Sequence, residues 1–342
     1  MSHDKGTRPD LAEGTAAPRG GAVPPWRLNL VLAVAMAALN LVQLAALPLW
    51  LLPLDMRWGL LLIPIALTTP LLWSVLHEAI HGILHPLDAV NDGIGRGLAV
   101  LFGSPFRILR LGHLMHHRFN RTELDRTEVY AGPDAASPGA RLIYYARLLA
   151  GLYLAEFAAS AAALLPRRWV ARFVALTFGA EDGDGRSMRR AAERHLLEPH
   201  AMRDLRLDGL AVVAVFALAF WFYGAAWWML ALALLGRAFL VSFLDNAYHY
   251  GTPPDDVLFS YNLALPRPVA AAAMLNFNFH AVHHRHPALP WTQLPRVFDE
   301  SGDVHEGPMA AVALRQLRGP LPLSGLPAAA RPRRLKTAIT PT

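Results

Sequence analysis

Histidine is the residue type whose arrangement in this chain could carry chemistry. The stretch "LHEAIHGILHP" (Leu76–Pro86) sets His77 and His81 four apart, on one face of a helix, with Glu78 beside the first. "HLMHH" supplies His113, His116 and His117, "HAVHH" supplies His280, His283 and His284, and His249 stands in "DNAYHYG". A lone buried histidine, such as His200 or His305, is ordinarily a hydrogen-bonded core residue. Two copies of H-x-x-H-H beside a histidine pair are not expected by accident. Neutral imidazole is a ligand of intermediate softness that suits iron as well as zinc. Together the groups offer nine imidazoles, too many for one tetrahedral zinc. Two metals with a position left for oxygen is the economical count. Redox activation of oxygen at a membrane boundary makes iron the expected metal.

A second reading takes H-E-x-x-H as a zinc-protease motif with Glu78 as the base. The segment "LDG", Leu207 to Gly209, would then offer Asp208 as a third ligand. That account leaves both three-histidine boxes unused, and Asp208 reads better as the start of a membrane span. Glu78 is expected instead to support a ligand from behind, hydrogen-bonding an imidazole N–H, or to lie at the surface. His85 would extend the spacing by another turn, but Pro86 disfavours helix at the residue before it. His286 closely follows the third box. Both are candidates for supporting roles.

The elements that must position these residues are apolar. Of 342 residues 54% are hydrophobic and 17% charged, and the mean hydropathy is +0.28. Runs near 28–50, 59–82, 208–223 and 225–245 are each long enough for a helix to cross a bilayer core about 30 Å thick. They form two hairpins, the second turning at Gly224. The stretch Arg141–Trp169 is also apolar but contains Arg147 and Glu156, and a charge at the bilayer centre is expensive. Treating it as an interfacial helix leaves an even number of crossings between the histidine groups, so that they can meet. Trp221, Phe222, Tyr223, Trp227 and Trp228 read as an interfacial belt around the Gly224 turn.

The formal charge of +6 reflects arginines flanking the spans, and no nucleic-acid recognition motif accompanies it. The connection between the first two spans holds only Asp55 and Arg57. Arg96, Arg107, Arg110, Arg118, Arg121 and Arg126 follow the second span, and "RPRRLK" lies near the end. The positive-inside rule then puts both termini and the histidine boxes in the cytoplasm. There is no cysteine, which removes disulfides, thiolate zinc sites and iron–sulfur clusters. Residues 1–25 read as a disordered tail, 26–310 as the membrane domain and 311–342 as a basic tail.

The boxes "HEAIH", "HLMHH" and "HAVHH" between apolar hairpins resemble those of the membrane fatty acid desaturase superfamily, which includes alkane hydroxylases and carotenoid ketolases. The resemblance covers roughly residues 28–295 and includes "RFNRTELDRTEVY" and "HPALPWTQLP". It implies an all-α integral membrane fold, with four transmembrane helices and a cytosolic cap. It implies a di-iron centre that uses O2 to oxidise a lipid, in a bacterial inner membrane. By carry-over the ligands are His77, His81, His113, His116, His117, His249, His280, His283 and His284. The family's last span often ends with Asn four residues before the additional histidine; that position is Asp245 here, and Asn246 lies one later. Either could approach the metal.

A fatty acid desaturase is the first expectation; a hydroxylase or carotenoid ketolase is the alternative, since the short first box followed by Gly82 also looks like the ketolase version. Electrons must come from a separate donor such as ferredoxin, for which Arg186, Arg189, Arg190 and Arg194 offer a basic surface.

Overall fold

The computed structural model describes residues 23–132, 137–178 and 183–328. Most of the expected N-terminal tail and the "RPRRLK" run lie outside them. α1 (Trp26–Leu41) continues without a break into a wider π-helical stretch, Val42–Leu51. Pro48 explains the widening, because its ring clashes with the carbonyl four residues back. The combined helix has 26 residues and the highest hydropathy of the three continuous candidate spans among the described residues.

After a turn, in which Asp55 accepts from the Arg57 N–H at 2.8 Å, the chain returns. It does so through a 3-10 segment (Met56–Leu61), α2 (Leu62–Leu67) and α3 (Thr69–Ile80). α2 and α3 meet at a 43° bend. Pro70 cannot donate to the Ala66 carbonyl, and the Thr69 hydroxyl does so instead at 2.6 Å. That substitution is what lipid requires, since water is not there to satisfy the carbonyl.

α4 (Asp88–Phe102) ends at Gly103, whose φ of +108° suits glycine. α5 (Phe106–Phe119) leaves at 98° to it. The last carbonyls of α4 point into the apolar interior, and three side chains from two later helices meet them. Arg237 donates to Leu101 O and Phe102 O at 3.2 and 3.3 Å. The Tyr153 hydroxyl donates to Phe102 O at 2.5 Å and the Ser160 hydroxyl to Gly103 O at 3.3 Å.

The short strand β1 (Val129–Tyr130) precedes α6 (Pro138–Ala146), a π turn (Arg147–Gly151) and α7 (Leu152–Ala162). α8 (Arg167–Phe178) and α9 (Gly183–Leu197) pack on one another. The stretch Arg141–Trp169 is therefore not one helix: it breaks between Ala162 and Arg167. By length and composition Pro138–Ala162 could cross a membrane. Yet Tyr144 and Tyr145 at its start donate to Gln316 O and Leu317 O. Just past its end, Leu165 O accepts from Arg206.

α10 (Pro199–Tyr223) and α11 (Trp227–Ala247) flank the Gly224–Ala226 turn. The 49 residues of Pro199–Ala247 would be roughly 74 Å long if straight, far beyond one crossing. They fold back at the turn: Gln43 is reached both by the Tyr223 hydroxyl, at 2.8 Å to its carbonyl, and by Arg237, at 3.4 Å to its side chain. Both ends of the α6–α7 helix are thus tied at the open end of this hairpin, where α10 begins and α11 finishes. α7 and α10 come close where Gly209 faces Ser160, and a Cβ there would sit 2.6 Å from the Ser160 carbonyl. Of the aromatic belt, Trp221, Trp227 and Trp228 are exposed, whereas Tyr223 is buried on Gln43.

A cap completes the chain: β2 (Leu263–Ala264), α12 (Arg267–Met274), α13 (His280–Arg285), α14 (Leu294–Ser301), β3 (Gly307–Pro308), α15 (Met309–Arg315) and β4 (Leu321–Pro322). β2 pairs with β3, and β4 pairs with β1. Residues 311–328 are not a tail, as the sequence suggests. Gln316 is fully buried, donates to Phe243 O and accepts from Asn246 at 2.6 Å. Among the described residues three continuous helices are long and apolar enough to cross a membrane, or up to five spans if each bent pair counts as one.

Candidate metal centre

Three short helical pieces and the end of α11 converge at the site. α3 presents His77 and ends at His81. α5 presents His113, His116 and His117, and α13 presents His280, His283 and His284. α13 has only six residues and could not stand alone. The Asn262 side chain caps it, accepting from Ala281 N and Val282 N at 3.1 and 3.3 Å. His249 lies just beyond α11. The loop behind it is fixed by Arg121, which is fully buried, pairs with Glu128 at 2.7 Å and donates to Thr252 O.

The nine histidines fall into two groups, His77, His81, His113, His117 and His283 in one and His116, His249, His280 and His284 in the other. Within each group one nitrogen per ring lies within 4.8 Å of all the others. The H-x-x-H-H spacing explains the division. In α5 the i, i+4 pair His113 and His117 serves the first group and His116 the second. In α13 the i, i+4 pair His280 and His284 serves the second group and His283 the first. The two boxes are split in opposite senses, which ties the groups side by side.

The contacts are between like atoms. Nε2 of His77 faces Nε2 of His283 at 3.0 Å, and that atom faces His117 at 2.9 Å. His117 faces His113 at 3.0 Å, and His113 faces His81 at 2.9 Å. In the second group His280 Nε2 faces both His249 and His284 at 3.1 Å, while buried His116 Nε2 has no partner. A neutral imidazole has one N–H, so a chain of five facing nitrogens cannot be satisfied by hydrogen bonds alone. A cation at the centre of each group would satisfy every lone pair, and the donor set fits iron. Burial, then neighbouring imidazoles, hold His249, His280, His283 and His284 well below the usual histidine range. They stand neutral, as ligands must.

Asp125 completes the geometry behind one ligand. His116 Nδ1 donates to its carboxylate at 2.6 Å, leaving Nε2 to face the group. Sequence reasoning did not single out Asp125. The only signal is its place in the "RFNRTELDR" segment, nine residues after His116.

The remaining candidates lie elsewhere. Glu78 belongs to neither group and makes no hydrogen bond to an imidazole; it is buried and receives the Trp291 backbone N–H. His85 sits in the turn after α3, accepts from Leu87 N at 3.0 Å and meets the Trp26 ring edge-on. His286 caps α13 from outside both groups. Asp245 lines a cavity that reaches the site and lies close enough for its charge to act on His116. Asn246 turns instead to Gln316. Asp208 is bonded to Arg96 at 2.7 Å and belongs to neither group, so the protease reading loses its third ligand.

The family model described as fatty acid desaturase matches residues 56–310, three quarters of the chain and every one of the nine histidines. This chain belongs to the fatty acid desaturase family. No characterised protein and no solved structure matches it. Membership implies an oxygen-dependent oxidoreductase with a di-iron centre, and the two histidine groups of this family member are consistent with that centre.

Proposed function

We propose that the chain is an oxygen-dependent di-iron desaturase that introduces a double bond into an acyl chain at the cytoplasmic edge of a bacterial inner membrane. The observation that carries this reading is the pair of groups, five and four imidazoles, whose facing nitrogens outnumber the hydrogen bonds that one N–H per ring can supply. Bound there, two irons would supply the reduction of dioxygen and the oxidising equivalents that take two hydrogens from adjacent methylenes. For each double bond one dioxygen, two electrons and two protons enter, and two waters leave.

The chain's own part is positioning. Asp125 fixes the His116 ring by holding its Nδ1 proton, and Asn262 holds α13 so that its three histidines divide between the groups. Phe277 and Tyr248 lie against His77 and His280 and exclude water from that side. Four crossings are the arrangement we favour: Trp26–Leu51, the bent α2–α3 unit, α10 and α11. The α6–α7 helix then lies across the cytosolic edge, because both its ends are tied at the open end of the α10–α11 hairpin.

The chain has no cysteine for an iron–sulfur cluster, so a separate carrier such as ferredoxin would bring the electrons. Purified protein should contain about two irons per chain, the count the two histidine groups allow; one zinc and no iron would overturn the reading. Expression in a host followed by lipid and pigment analysis should reveal a new double bond. A new hydroxyl or ketone instead would move the chain to the hydroxylase or ketolase branch.

A further inference from the structure

Where α10 begins, it meets the end of α7 across an open cleft. Leu164, Met202, Leu207 and Leu210 line the cleft, and Arg203 and Arg206 stand on its rim. Spacings of three and four put the α10 residues on one face of the helix. That face is graded along the axis, arginines first and leucines after. From Arg203 to Leu210 the helix rises about 10 Å. A bilayer about 40–45 Å thick has a hydrocarbon core of about 30 Å, which leaves about 5–8 Å for each headgroup layer. With α10 crossing from the cytosolic edge, as proposed above, the arginines lie at headgroup depth where Leu210 has reached hydrocarbon.

These arginines are not spent on protein carboxylates. Arg206 gives one N–H to Leu165 O at 3.2 Å, and among the described residues no carboxylate pairs with it. Arg203 has Asp204 at 3.8 Å, but that carboxylate is already bonded to Arg107 at 2.7 Å. Across the cleft, the chain from Phe157 to Phe178 contains no Asp or Glu and brings in Arg167, Arg168 and Arg172. Within it, α8 exposes Trp169, Phe173 and Leu176, spaced by four and three, while Val170 and Val174 are buried in the cluster shared with α9. An exposed apolar stripe flanked by arginines suits a helix lying in the bilayer interface.

We infer that this cleft is a site for an anionic phospholipid of the bilayer, its phosphate against Arg203 and Arg206 and one acyl chain along Leu207 and Leu210. Phosphatidylcholine brings a cation beside its phosphate and fits the rim poorly; phosphatidylglycerol brings none. The cleft residues belong to neither histidine group. The bound lipid therefore acts as a brace, joining the end of α7 to α10 beside the Arg206–Leu165 bond. The inference rests on α10 crossing the bilayer and not on the chemistry of the metal centre.

The test uses the metal-loaded full chain in detergent, titrated with dioleoylphosphatidylglycerol or dioleoylphosphatidylcholine. Native mass spectrometry counts bound lipid, and the helical signal follows heat unfolding. The anionic lipid should bind about tenfold more tightly and raise the unfolding temperature. Arg203→Gln with Arg206→Gln should weaken its binding about tenfold or more. Leu210→Trp, which fills the cleft and keeps the charge, should weaken it as well, and tests the site even if the arginine pair is needed for folding. Taking two charges from the cap instead, by Arg267→Gln with Arg296→Gln, should change binding less than about twofold. Equal binding of the two lipids, equal loss in the cap variant, or full binding by Leu210→Trp would overturn the inference. So would an unfolding temperature that rises with protein concentration and not with lipid, which would assign the cleft to a second copy of the chain. The crossing is checked separately by a nitroxide on Leu218→Cys in a chain that has no other cysteine: the label should be reached by oxygen and not by a water-soluble nickel chelate. Iron content and oxidised lipid report on the oxidase reading alone.

Discussion

Two of the polar clusters inside this apolar molecule are built on opposite rules. Around Arg237, midway along α11, donors meet acceptors: its guanidinium faces Leu101 O, Phe102 O, the Asn40 side-chain oxygen at 2.7 Å and the Gln43 oxygen at 3.4 Å. Only Nε lacks a partner. Around the histidines, nitrogen faces nitrogen. The first cluster is satisfied but for that one N–H, and joins α1 and its π-helical continuation to α4 and α11. The second is complete only when something positive sits between the rings. Polar density in a membrane protein is therefore not itself a sign of function; a mismatch of donors and acceptors is.

The strongest way to break this comparison is to remove a ligand. His283→Ala takes one of five imidazoles from the first group, and His116→Ala takes one of four from the second. Each should lower iron content and reduce oxidation by more than the roughly 10- to 100-fold that loss of a supporting residue causes. Iron analysis of the folded protein beside product formation checks this. Full activity in either variant would remove that histidine from the ligand set.

Arg237→Met tests the other cluster. It strips two backbone carbonyls of their donor in a medium without water, and Phe102 O retains only Tyr153. The expected cost is about 2–4 kcal/mol of stability, from unsatisfied buried groups at about 1–3 kcal/mol each. Detergent-solubilised protein should lose its helical signal at lower temperature, while the folded fraction keeps its iron. Lost iron with unchanged stability would erase the distinction between the clusters.

Asp125→Asn sharpens it at the boundary. The amide cannot accept the His116 proton as strongly, so the ring loses its fixed orientation. Metal should be released to a chelator about 10- to 100-fold more readily, and Asp125→Glu should recover part of the difference. Equal release rates in the wild type and Asp125→Asn would make the contact incidental.

The nine histidines are legible in the sequence because helical spacing itself encodes which rings share a face. Their division into five and four is not, because it depends on the angle at which α5 and α13 meet. Asp125 stays hidden for a related reason: its contact is made by the irregular chain after α5, where no periodicity operates. Arg237 passes unremarked inside an apolar block, since its partners lie on α1 and α4. The choice between Asp245 and Asn246 rests on the rotation of α11, set by Gln316 seventy residues later. That same contact shows that 311–328, which reads as part of a tail, holds the end of the helix leading to His249.

The smallest expected effect concerns how electrons reach the centre. α9 buries Met188, Ala191 and Ala192 against a cluster that includes Met115 of α5, between His113 and His116. Its exposed face carries Arg186, Arg189, Arg190 and Arg194, with Glu193 paired to Arg189. The basic face is thus one helix removed from the histidine helix, and Arg118 of α5 bonds Ser187 of α9 at 3.0 Å. An acidic carrier docking there would be steered by charge, and steering acts on the rate of encounter more than on the chemistry. Replacing Arg189, Arg190 and Arg194 by Glu should slow reduction by ferredoxin about tenfold at low salt and much less at high salt. Iron content and stability should not change. A rate that is unchanged at low salt would dissociate this face from electron entry and leave the anionic lipid surface as its partner.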